Sequence, residues 1–130
     1  MKTVFDEIEV KTAFFSMKKN GIVYMRIKEN AEIDVHAVNE HYDAIRKISG
    51  KNKSLLLLDP GPNCTATTEA KIYAASHKDK PILAEAIIAK SLVYKLLGNF
   101  YIRFNKPIQA TKLFSNEEEA IKWLKSFSKN

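Results

Sequence analysis

The chain has 130 residues, 45% of them apolar, and a formal net charge of +6. This length supports one substantial core over residues 1–130, and the composition excludes a disordered chain. No uncharged apolar run reaches bilayer-spanning length, and the lone cysteine, Cys64, excludes an internal disulfide and fits a reducing cytoplasm.

Met1-Lys2-Thr3 is followed by Asp6, Glu7 and Glu9 and not by an apolar core, so no signal peptide is expected. Residues 11–17 alternate, with Ala13, Phe15 and Met17 on one side. Lys18-Lys19-Asn20-Gly21 then predicts a hairpin whose Asn-Gly pair takes positive φ at both positions. Residues 22–28 return, with Val23, Met25 and Ile27 facing inward. Asp34 caps a first helix whose stripe is Val35, Val38, Tyr42, Ile45 and Ile48, and Gly50 stops it. Residues 54–58, Ser-Leu-Leu-Leu-Leu, read as a buried parallel strand. A second helix is expected over 67–77, with Ile72, Tyr73 and Ala75 as its apolar positions.

Pro81 precedes a strand over 84–89. Ser91 caps a third helix, in which Leu92, Leu96, Phe100 and Phe104, with Leu97 and Tyr101, form a broad apolar face. Pro107 ends that segment and a last strand runs over 108–114. Ser115 and Glu118 are spaced as a capping box, and the closing helix is expected to bury Ala120, Ile121, Trp123, Leu124 and Phe127. The order is a β-hairpin, then α-β-α-β-α-β-α. It predicts an α/β fold with a mixed, mostly parallel sheet, an N-terminal hairpin at one edge and four helices.

The loop after the Leu-rich strand, Asp59-Pro60-Gly61-Pro62-Asn63-Cys64-Thr65, is the sequence's candidate functional surface. Strand carboxyl ends that lead into helix N-termini are where open α/β sheets bind ligands. Thr65, Thr67 and Thr68 either cap the next helix or hold an anion or accept a phosphoryl group. The crossover through the second helix makes this loop and the Ser91 cap neighbours. The expected binding face is therefore Asp59, Asn63, Thr65, Thr67, Lys90 and Ser91, taking an anion weakly or a partner's acidic side chain, without turnover.

Asp59 either caps the loop or acts as a base or metal ligand, and no second carboxylate lies near it in sequence. Cys64 is either a reactive thiol at a helix start or a small hydrophobe. His36, His41 and His77 lack metal spacing and read as surface or packing residues. Ser91 has no partner histidine and no nucleophile elbow, and the four glycines form no phosphate loop.

The element order resembles the STAS fold of the anti-sigma-factor antagonists, a shape related to the lipid-binding CRAL-TRIO domains. The run AIIAKSLVYKLLGNFYIRFNKP, with KLFSNEEEAIKWL after it, resembles a group of small bacterial STAS-like (SpoIIAA-like) proteins, in particular from Bacteroidetes. In the antagonists the phosphorylated serine lies in an Asp-Ser-Ser/Thr-Gly run after the third strand. Here that place holds Asp59 to Thr65 with no matching serine, so the phospho-switch does not carry over.

Charge is uneven: residues 86–116 hold Lys90, Lys95, Arg103, Lys106 and Lys112 and no acid. That run favours an acidic partner, a phosphate-bearing ligand or an anionic membrane face, or is an ordinary solvated face. It lacks a nucleic-acid motif, so no nucleic acid is expected. The resemblance implies a non-catalytic protein-interaction or regulatory module, cytoplasmic, with a protein partner and no cofactor or metal. The surplus of large apolar residues on the third helix implies a homodimer. The alternative is a small-ligand or lipid-binding domain using the region under helix 91–104, with that helix as a lid or membrane face. No acid–base or nucleophile constellation supports an enzyme.

Overall fold

The computed structural model describes residues 7–18 and 20–128. Met1 to Asp6, on which the reading of the N-terminus rests, and Lys19 of the hairpin turn lie outside them. A six-stranded sheet runs in the order β1 (Ile8–Glu9), β2 (Ala13–Met17), β3 (Ile22–Ile27), β5 (Ser54–Asp59), β7 (Ile82–Ile88), β8 (Ala110–Phe114). β1, β2 and β3 pair antiparallel, and β3, β5, β7 and β8 pair parallel. A second sheet, β4 (Glu32–Ile33) beside β6 (Thr65–Ala66), joins the loops that follow β3 and β5. Neither β1 nor this two-stranded sheet is legible as a hydrophobic run, because each strand is only two residues long.

The four helices are α1 (Val35–Ser49), α2 (Thr68–Ser76), α3 (Leu92–Asn105) and α4 (Glu117–Lys125). Each parallel crossover steps the same way across the sheet, and right-handed crossovers then put α1, α2 and α3 on one face. α4, after the last strand, covers the other. Two cores result. Phe15, Val23, Met25, Leu56 and Ile82 pack with Val38, Tyr42, Ile45 and Ala70 on the α1–α2 side. Ile22, Leu57, Ala84, Ala86 and Ile88 pack with Ala120 and Leu124 of α4. The alternation of β7 sends its alanines toward α4, where a small side chain lets the helix approach.

Several local expectations are corrected. In the hairpin only Gly21 has positive φ, +79°, among the described turn residues. Its N–H donates to Lys18 O and Lys18 N–H donates to Ile22 O. This is a three-residue loop closed by a left-handed glycine, not a two-residue turn. α4 is capped by Asn116, whose Oδ1 accepts from Glu119 N–H at 2.9 Å, and not by Ser115. β8 starts at Ala110, leaving Ile108 exposed. On α2 the buried residues are Ala70 and Ala75, while Ile72 is exposed. Trp123 is half-buried, tilted against Phe114 and edge-on to Phe127, and the fully buried anchors of α4 are Ala120 and Leu124.

Candidate functional site

β5 and β7 are parallel neighbours, so the residues that leave them meet. Asp59 Oδ1 at the end of β5 lies 3.5 Å from Lys90 Nζ just past β7. That oxygen is otherwise buried without a hydrogen bond. Ser91 Oγ accepts from Tyr94 N–H at 3.2 Å and caps α3. One turn into the helix, Tyr94 Oη accepts from Asn63 N–H at 3.0 Å and donates to Gly61 O at 3.3 Å. Asp59, Asn63, Lys90 and Ser91 therefore gather around the start of α3, with Tyr94 as their link. Tyr94 is absent from the sequence-predicted face; its only signal is a hydroxyl set inside an apolar helix.

The other side of the loop is fastened elsewhere. Thr65 N–H donates to Ala31 O and Thr67 N–H to Ile33 O, so both threonines follow the β4–β6 pairing toward the start of α1. Thr67 Oγ1 accepts from Ala70 N–H and caps α2. Between these ends, Asn30 N–H donates to Pro62 O. Gly61 lies so close to β3 that a Cβ would stand 2.2 Å from Ile27 O, a contact only glycine permits. Asn63 takes φ +60°, a left-handed position asparagine tolerates.

Strand-end crevices open where consecutive crossovers part to opposite sides. Here β3, β5, β7 and β8 follow one another in order, so the parallel strands have no switch point at Asp59. Both caps are spent on their own helices, and the ammonium beside Asp59 is paired. Backbone and tyrosine hydrogen bonds tie the Asp59–Thr67 loop to β4 and α3, with Gly61 lying against β3.

The cysteine and histidines resolve similarly. Cys64 is half-buried against the first core, and burial pushes its thiol up, away from the thiolate. It sits as a small hydrophobe. His41 is buried against Phe15, with Nε2 2.7 Å from Thr12 Oγ1, and burial lowers it to about 4. His77 stacks on Tyr73 and Tyr42. His36 is exposed beside Glu40. Among the described residues no three His, Cys, Asp or Glu side chains gather as a metal set.

A polar cluster that the sequence reading missed lies on the α1–α3 side of the sheet. Lys80, 3% exposed, donates to Ala74 O, to Ala75 O at 3.3 Å and to Gln109 Oε1 at 2.5 Å. Gln109 Nε2 in turn donates to Glu85 Oε1 at 3.0 Å. Burial raises the Glu85 carboxyl, partly offset by Gln109 and Lys80, and lowers the Lys80 ammonium. Lys80 uses its three N–H bonds on the last carbonyls of α2 and on the entry to β8. The cluster is a clip, joining helix end to sheet. A glutamate inside the apolar run of β7 was its one sequence signal.

α3 differs from the other helices: none of its residues is buried. Its inward side is Tyr94, Gly98 and Tyr101, with the half-buried Ile102 at the border. Gly98 rests on the sheet so closely that a Cβ would meet Leu113 Cδ2 at 2.7 Å. The outward side carries Leu92, Val93, Leu96, Leu97, Phe100 and Phe104, each 58–72% exposed. The Phe100 and Phe104 rings pack against one another, tilted, with centroids 4.2 Å apart. A depression of about 550 Å³ there is lined by α3 residues alone, Leu96, Asn99, Phe100, Ile102, Arg103 and Phe104. It is an open surface and not a chamber beneath the helix. The expected broad apolar face exists, turned toward solvent.

Residues 15–128 match the model of a domain of unknown function, DUF7793. The fold is similar to that in the crystal structure of an uncharacterized protein of the DUF3478 family with a SpoIIAA-like fold, from Shewanella loihica. The two share 11% identity over 94% of each chain, with a TM-score of 0.57. Among curated proteins, none matches in sequence. The mixed sheet, the four helices and this likeness together make the fold SpoIIAA-like.

Proposed function

The chain belongs to the DUF7793 family, and from that premise we propose that it is a non-catalytic interaction module of regulatory type whose working surface is the outer face of α3. One observation carries this reading: α3 presents its large apolar side chains to solvent and its tyrosines and glycine to the sheet. Singly exposed hydrophobes are ordinary, but a contiguous apolar face on one element marks association. The Asp59–Ser91 residues are, in this reading, the mount that holds the helix at its angle. Two-fold pairing of the same faces would bring Lys95 and Arg103 of two copies together, which disfavours a second copy as the occupant.

Thiol footprinting tests the reading without knowing the partner. In a Cys64→Ala background, Leu97→Cys and, as a control at an exposed position of α1, Lys47→Cys would be labelled with maleimide in native cells and again after purification. Protection at position 97 in cells, with equal labelling at 47, is expected. Equal labelling at both positions would overturn the docking role.

A further inference from the structure

We infer that the outer face of α3 docks on an anionic phospholipid surface, with the helix lying flat in the headgroup region. The inference rests on the docking reading above and names its partner.

Charge complementarity selects that partner. Lys90, Lys95, Arg103 and Lys106, all exposed, are spread along α3 from its entry to its exit. No acid occurs between residues 86 and 116. Among the described residues, Lys90 is paired with Asp59, whereas no carboxylate lies in ion-pair contact with Lys95, Arg103 or Lys106. Apolar side chains flanked by long cationic ones suit an interface where the rings and aliphatic groups enter the acyl boundary. Lysine and arginine then reach back to the phosphates.

The geometry agrees. Fourteen helical residues span about 21 Å, too short to cross a bilayer but suited to lying along one. No helix among the described residues is long and apolar enough to cross a membrane. The apolar arc belongs to one convex helix, and its depression is walled only by that helix. It is therefore shaped to enter a soft surface and not to receive a peptide. The helix also cannot simply roll its apolar side inward. Gly98 against Leu113, and Tyr94 bonded to Gly61 and Asn63, fix which side faces the sheet.

Vesicle flotation tests this with the whole chain, using phosphatidylcholine alone and phosphatidylcholine with about 30% phosphatidylglycerol, a content that supplies the negative surface potential. Binding to the anionic vesicles is expected to be at least about tenfold tighter, and to weaken as salt rises. Lys95→Glu with Arg103→Glu should erase the preference. Leu96→Ser with Phe100→Ser should abolish binding while the circular-dichroism melting midpoint stays near the wild-type value, since both side chains are largely exposed.

Wild-type protein that stays off both vesicle types, or binds them equally, overturns the inference, as does vesicle binding that survives the double serine change. No vesicle binding together with protection of position 97 in cells would mean a protein partner with an acid-rimmed apolar groove. The docking reading would then stand and the lipid assignment fall. No vesicle binding and no protection would remove both.

Discussion

Acid should unfold this protein partly through one buried imidazole. His41 on α1 is 5% exposed, hydrogen-bonded through Nε2 to the buried Thr12 and packed on Phe15. Burial disfavours the charged ring and lowers it from 6.5 to about 4. A folded-state value below the unfolded one means that the folded protein binds fewer protons between them. The stability contributed is thus fully present above 6.5 and is lost as pH falls through 4. Integrating the linkage over that window, the loss is about 2 kcal/mol at pH 5 and about 3 kcal/mol at pH 4. Against a typical stability of roughly 5–15 kcal/mol this is a large share.

The matched variant is Thr12→Val with His41→Leu. It removes both hydrogen-bond partners and strands neither. Urea unfolding followed by Trp123 fluorescence, in steps from pH 7.5 to 4, would be run on both proteins. Glu85 has the opposite sign: its raised carboxyl contributes stability at low pH that is lost as pH rises. It is common to both chains and cancels in the difference. The wild type should lose its roughly 2–3 kcal/mol relative to the variant across this range. A flat difference curve, or a His41 ring that titrates near 6.5 by NMR, would refute the buried neutral imidazole.

Two further outcomes are expected. Gly61→Ala should lower the thermal midpoint by the equivalent of about 1–3 kcal/mol, an overpacking cost. The new Cβ would meet the backbone of Ile27 and Lys28 within 2.7 Å, and backbone cannot rotate aside; an unchanged midpoint would disprove that contact. On α4, Leu124→Ala should cost about 2–5 kcal/mol and Trp123→Ala about 3 kcal/mol. Leu124 is fully buried and Trp123 half-buried, so the smaller residue should matter at least as much, and denaturation showing Leu124→Ala to be silent would reject this core.

The helix caps were legible because capping is local. Asp34, Thr67 and Ser91 each accept a hydrogen bond from the N–H three residues on, and a sequence window holds both partners. The α1 stripe was legible for the same reason, since Val38, Tyr42 and Ile45 are both periodic and buried. The Asn116 cap was missed because Ser115 offered an equally good spacing, and only the chain's exit from β8 chose between them. The candidate loop was found by type and placed next to Ser91 by the crossover rule. Its tie to α3 was not legible, since that depends on Tyr94, more than thirty residues away.

Sequence by itself determined the order of the longer strands and the helices, the mixed sheet and the two faces each of those strands offers, because periodicity and crossover handedness act along the chain, whereas the two-residue strands β1, β4 and β6 are too short to show a period. It also determined that α3 has an apolar side. Only the tertiary structure decided that this side faces outward. A stripe shows that a helix has two faces and says nothing of which one the sheet will accept. Here Gly98 gave the closer approach to Leu113, and the Tyr94 hydroxyl found partners in the Gly61–Asn63 turn. Thr12 with His41, and Lys80 with Gln109, are each 29 residues apart; such buried polar pairs exist only once packing brings their strands and helices together.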